Sequence, residues 1–170
     1  MTKHTIWTGL LVSVALTGCV THPQTAEEFR RAVPGALTAK TEAFEVNRPF
    51  RDVAATFRKK APECLDVTIK TTSRANMSYQ VIVTEYKPTV VVTRERAELH
   101  VQQHHKSGVV RVSKEPAGGY YLLVADAYPV DQNKTRVQMF APSMGHGVLI
   151  RAVKGWATGE NLGCPDMTKT

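Results

Sequence analysis

Aromatic side chains make up only 7% of this 170-residue chain, and cysteine occurs three times. That is far too little sulfur for a disulfide scaffold, which carries cysteine above about 8%. Glycine and proline, 11 and 9 in number, are scattered rather than clustered, so a collagen-like or low-complexity chain is excluded. The first apolar run, Ile6 to Leu16, is eleven residues long and follows Lys3. It is too short to cross a hydrocarbon layer about 30 Å thick and has the pattern of a signal-peptide core. No G-x-S-x-G, phosphate-binding glycine loop or cofactor fingerprint is found, so the chain is read as non-enzymatic and cofactor-free. What is present, 42% hydrophobic and 22% charged residues, matches one ordinary globular domain and leaves no room for a two-domain enzyme.

Directly after the apolar run stand Leu16-Thr17-Gly18-Cys19, which resemble the lipobox of bacterial lipoproteins. The resemblance implies cleavage before Cys19, acylation of its thiol and, with Val20 rather than aspartate following, anchoring in the outer membrane on the periplasmic side. Several acyl chains at about 0.8 kcal/mol per buried methylene hold a protein at a membrane essentially permanently. With Cys19 lipidated, Cys64 and Cys164 remain as an even pair in an oxidising compartment, and a disulfide between them is expected. Loss of Lys3 leaves 21 Lys and Arg against 15 Asp and Glu, a net charge of +6. The expected address disfavours nucleic acid as a partner, leaving an envelope protein, an envelope polyanion or a solvated basic surface.

Three segments are expected: a signal at 1–18, a lipidated N-terminus and tether at 19–40, and a single α+β domain at 41–170. Within the tether, Thr25 and Glu28 form a capping-box pattern, with Phe29 and Val33 on one side of a short helix. Phe44 and Val46 alternate with polar neighbours as a strand does. Asn47 is the expected cap of an amphipathic helix that buries Phe50, Val53, Phe57, Ala61, Cys64 and Leu65, with Arg51, Arg58, Lys59 and Lys60 in solvent. Pro62 predicts a kink or an end near Lys60.

Beyond Leu65 the period switches to two. Strand-like runs lie at Leu65–Ile69, Tyr79–Val83, Pro88–Thr93, Leu99–Val101, Val109–Ser113, Tyr120–Tyr128 and Arg136–Ala141. Short connections make neighbouring strands antiparallel, in a meander of five or six. A last helix is expected from a cap at Ser143, burying Val148, Leu149, Ala152, Val153 and Trp156 and ending at Gly159. Two amphipathic helices on a one-sided sheet form a two-layer sandwich, an order that resembles the helix-grip arrangement.

The run Phe44-Glu45-Val46-Asn47-Arg48-Pro49-Phe50, the Glu63-Cys64-Leu65 that follows, and Trp156-Ala157-Thr158-Gly159 leading to Cys164-Pro165 resemble a family of small uncharacterised Gram-negative lipoproteins. That resemblance implies location and the disulfide, and no catalytic residue.

Candidate chemistry is sparse. Glu98, His100, Gln102 and His104 share one strand parity and offer two imidazoles to a metal, but no third ligand completes a site, so a polar outer face is expected. His146 lies between Gly145 and Gly147 at the start of the last helix. Asp126 sits inside an apolar strand and requires a partner, with Arg136 or Arg151 nearest by topology. Tyr121, Phe140, Leu149 and Trp156 are the candidate lining of an apolar cleft between sheet and last helix, the alternative being that these side chains fill the core.

Overall fold

The structure is a computed structural model that describes residues 22–36, 38–75, 78–107, 115–116, 118–142 and 146–169. Cys19 and the lipobox lie outside the described residues, as do the expected strand at 109–113 and the expected cap Ser143. The chain is α+β, as its periodicity predicts. A short helix α1 (Ala26–Ala32) precedes strand β1 (Ala39–Val46) and helix α2 (Phe50–Leu65). Strands β2 (Val67–Ala75), β3 (Ser78–Val92), β4 (Ala97–Ser107), β5 (Tyr120–Pro129) and β6 (Thr135–Pro142) follow, then helix α3 (Gly147–Thr158) and a 3-10 turn at Met167–Lys169.

The six strands form one open antiparallel sheet in the order β1-β6-β5-β4-β3-β2. From β2 to β6 it is a meander, and β1 returns to lie beside β6, with Phe44 opposite Val137 and Val46 opposite Thr135. The runs at Tyr79–Val83 and Pro88–Thr93 are one strand, β3. Pro88 is tolerated because it lies past Tyr86, where pairing with β2 ends and one edge of β3 is open.

Alternation sorts the side chains. Leu99 and Val101, Leu123, Ala125 and Ala127, and Val137, Met139 and Ala141 all face α2 and α3. From the helices Val53, Phe57, Ala61 and Leu65, and Leu149, Val153 and Trp156, complete this core. Each large side chain removed from water there contributes about 1.5–3 kcal/mol, which is how α3 forms despite Gly155 in its interior. Gly155 is used sterically: a Cβ there would collide with the Leu162 side chain as the chain folds back over α3. Gly159 terminates the helix at φ 90°, as expected of a left-handed cap. The return brings Cys164 to the end of α2, where it is bonded to Cys64 with Cα atoms 4.9 Å apart.

Three expectations are corrected. The cap position of α2 is Pro49, not Asn47; the Pro49 carbonyl accepts the Asp52 and Val53 N–H groups, and no side chain caps the helix. Pro62 does not end α2 near Lys60, because it is exposed one turn from a helix end held by buried Cys64 and Leu65. Its missing hydrogen bond frees only the Arg58 carbonyl, on the solvent side. Finally, the short helix expected inside the tether is not free of the domain: α1 is docked on the sheet, on the face opposite α2 and α3.

Candidate functional site on the outer sheet face

The outer face of β4 and β5 carries an unusual set of groups. Pairing sets Glu98 opposite Asp126 and His100 opposite Val124, and the parity that turns Leu99 and Ala125 inward turns these four outward. Such a face of an antiparallel sheet ordinarily meets water. Here α1 covers it. Thr25 caps α1 by accepting the Glu28 N–H at 3.1 Å, while the Glu28 carboxylate accepts the Gln24 N–H at 2.7 Å, close to the expected capping box. That start points Ala26, Phe29 and Val33 at Val124, with Tyr121, Phe140 and Ala39 at the margin.

Between the apolar contacts Arg30 descends onto Asp126. The guanidinium donates from Nε to Oδ2 at 2.6 Å and from Nη2 to Oδ1 at 2.7 Å, and Nη2 also donates to the Glu98 Oε2. This two-pronged fit uses the planar fork that distinguishes arginine from lysine. The Asp126 side chain has 0% exposure, Arg30 12% and Glu98 10%. Arg96 stands alongside, with Nη2 3.3 Å from Glu98 Oε2 and Nε 3.9 Å from Asp126 Oδ1. His100 Nδ1 is 3.0 Å from Glu98 Oε1, and its ring lies 5.4 Å from that of Tyr121.

Burial works against the charged forms, yet the partners prevail. For Arg30, hydrogen bonds to Asp126 and Glu98 outweigh desolvation and hold its pKa above the ordinary value. For Glu98, burial pushes upward, but hydrogen bonds from Arg30 and His100 overcome it and the carboxyl sits below its ordinary value. Tyr121 is raised, first by burial and then by the Glu98 charge. Two carboxylates meet two guanidiniums, and both Asp126 oxygens are engaged. The arrangement is suited to holding the Arg30 guanidinium.

The other candidate residues disperse. His104 Nδ1 turns to Glu115 at 3.0 Å and Gln102 donates to the Gly119 carbonyl at 3.2 Å, because the β4–β5 register shifts between Val101 and Gln102. Among the described residues no three His, Cys, Asp or Glu side chains are grouped to hold a metal ion. His146 occupies the cap position of α3 half-buried, and burial pushes its pKa down.

Arg136 pairs with Glu45, and Arg151 is exposed on α3, so neither expected partner reaches Asp126. Both were topologically near, but the register sets Arg136 opposite Tyr128 on one side and Glu45 on the other, two residues along from Asp126, and α3 lies on the other side of the sheet. The proposed cleft also divides. Tyr121 and Phe140 pack on the outer face beside α1, whereas Leu149 and Trp156 belong to α3 and are fully buried against the inner face. Arg30 is the residue that sequence reasoning missed. The only signal for it was the one-sided Phe29/Val33 pattern of the short helix.

No protein-family model matches the chain, and no curated protein matches it. Among solved structures, a hypothetical protein from Helicobacter pylori is similar with a TM-score of 0.39 and 10% identity, covering 85% of this chain and 96% of its own. Norcoclaurine synthase from Thalictrum flavum has a TM-score of 0.31 at 11% identity over 70% of this chain and 83% of its own. A protein from Arthrobacter aurescens gives 0.31 at 11% identity over 71% and 80%. The helix-grip-like layout, an antiparallel sheet with a C-terminal helix on one face, is read from the chain's own elements. At these scores the comparisons carry nothing about activity.

Proposed function

We propose that this chain is a non-enzymatic interaction module, anchored through acylated Cys19 to the outer membrane and facing the periplasm. The lipobox-like Leu16–Cys19 run and the family resemblance support the anchor. The Cys64–Cys164 pair supports an oxidising compartment, where such bonds persist. One observation carries the choice of module over carrier: the space between sheet and α3 is filled, with Phe57, Leu149 and Trp156 at 0% exposure. A domain whose grip is filled works through its surfaces. No helix among the described residues is long and apolar enough to cross a membrane, so lipid on Cys19 is the attachment this reading requires.

The test is intact-mass analysis of the protein from membranes. A mature chain starting at Cys19 with added acyl mass, and release of the Cys19→Ser chain from the membrane fraction, are expected. A start elsewhere with no acyl mass overturns the anchor. Cross-linking in intact envelopes then identifies the partner.

A second reading, a carrier of a small apolar ligand, is favoured by one feature. An open depression of about 180 Å³ is lined by Pro23, Phe29, Val33, Ala39 and Pro142 beside α1. Native mass spectrometry that found a stoichiometric small molecule, lost on Val33→Asp, would establish it.

A further inference from the structure

We propose that the outer face of β4 and β5 is a recognition surface for an arginine presented on a short apolar segment, and that α1 is its resident occupant. The partner chemistry is what α1 displays: a phenylalanine, an arginine next to it and an aliphatic residue one turn on, as in Phe29, Arg30 and Val33. The surface answers each part. Asp126 and Glu98 take the guanidinium in a fork, and Val124, Tyr121 and Phe140 take the apolar pair.

Four observations make α1 an exchangeable occupant. Its seven residues are too few to hold a helix alone in water, so it is formed by docking. It buries its side chains in a cluster separate from the main core, so its departure leaves the α2–α3 side closed. It joins β1 through a single 3-10 turn, Val33–Gly35, and a few further residues. Most telling is Arg96, a second guanidinium already within 3.3 Å of Glu98 and 3.9 Å of Asp126. It leaves one positive charge beside the two carboxylates when Arg30 departs, and so lowers the penalty for emptying such a site.

This inference rests on the interaction-module reading, and its test does not involve the anchor. The probe is a fluorescent peptide with the sequence of residues 22–36, read by anisotropy against the full chain. The Arg30→Ala chain is expected to bind it at least about tenfold more tightly than the unaltered chain, whose own α1 competes. The same peptide with alanine at the arginine is expected to bind about tenfold or more weakly. Hydrogen exchange supplies the second readout: in Arg30→Ala the α1 amides lose protection while β4 and β5 keep theirs. If that chain does not fold, Arg30→Lys, which keeps charge without the fork, is measured in the same way. The proposal is overturned if both peptides bind alike, if neither binds although α1 has been released, if α1 stays protected without Arg30, or if β4 and β5 lose protection together with α1.

Discussion

On the inner face of the sheet Leu99, Val101, Leu123 and Val137 meet α2 and α3 with 0% exposure, and a disulfide ties α2 to the segment after α3. On the outer face α1 and the turn after it bury only Ala26, Phe29 and Val33 against Val124, and α1 depends on a cluster of two carboxylates and two arginines. Apolar burial is non-directional and accumulates with area, so the inner face supplies stability. Buried ion pairs contribute little net stability against well-packed hydrophobes, but they are intolerant of a wrong partner. The outer face is therefore the selective one, and the more easily opened.

The contrast is broken most severely from the inner side. Trp156→Ala, which empties the centre of the α3 contact, is expected to lower stability by about 3–5 kcal/mol in denaturant unfolding. Reducing the Cys64–Cys164 bond closes off less, about 2–4 kcal/mol, seen as a drop in Tm with reductant. On the outer side Asp126→Asn keeps the shape and loses the charge that Arg30 grips. About 1.5–3 kcal/mol of α1 docking is expected to disappear, read as faster exchange of α1 amides with little change in those of α2. If α2 and α3 open together with α1, the two faces are one unit and the comparison fails.

Acid sharpens the distinction. The folded-state pKa of Glu98 lies below its unfolded value of about 4.3. Its contribution is thus fully present above that unfolded value and is lost as pH falls through the lower, folded one. Exchange of α1 amides is expected to rise below about pH 4, ahead of global unfolding, and less steeply in Glu98→Gln. The smallest effect belongs to the exposed pair Arg136–Glu45: Glu45→Gln is expected to change stability by at most about 0.5 kcal/mol.

Much of the inner face is legible in the residues. The spacing of Phe50, Val53, Phe57 and Ala61 marks α2, and the alternation of Leu99 with Val101 marks β4, because a single buried side imposes its period on the chain. Asp126 announces a partner, since a carboxylate among Leu123, Val124 and Ala127 is costly alone. Its partner was not legible. Arg30 lies 96 residues away in a helix of two turns, and the local pattern places it beside the apolar side, with Arg31 turned to Glu27 in solvent, without saying which carboxylate it meets. The supposed cleft failed for a related reason: β6 parity turns Phe140 to the outer face, whereas Trp156 packs from α3 onto the inner one, and neither side is written in the local sequence.

By itself the sequence determined the α+β class, the antiparallel meander, the two amphipathic helices and the left-handed stop at Gly159, all properties set by neighbours within a few residues. Only the tertiary structure decided that α1 docks on the outer face, that Arg30 rather than Arg136 or Arg151 neutralises Asp126, and that the grip under α3 is full. Those outcomes depend on which distant surfaces meet, and pairing energies between distant charges and volumes carry no periodic trace along the chain.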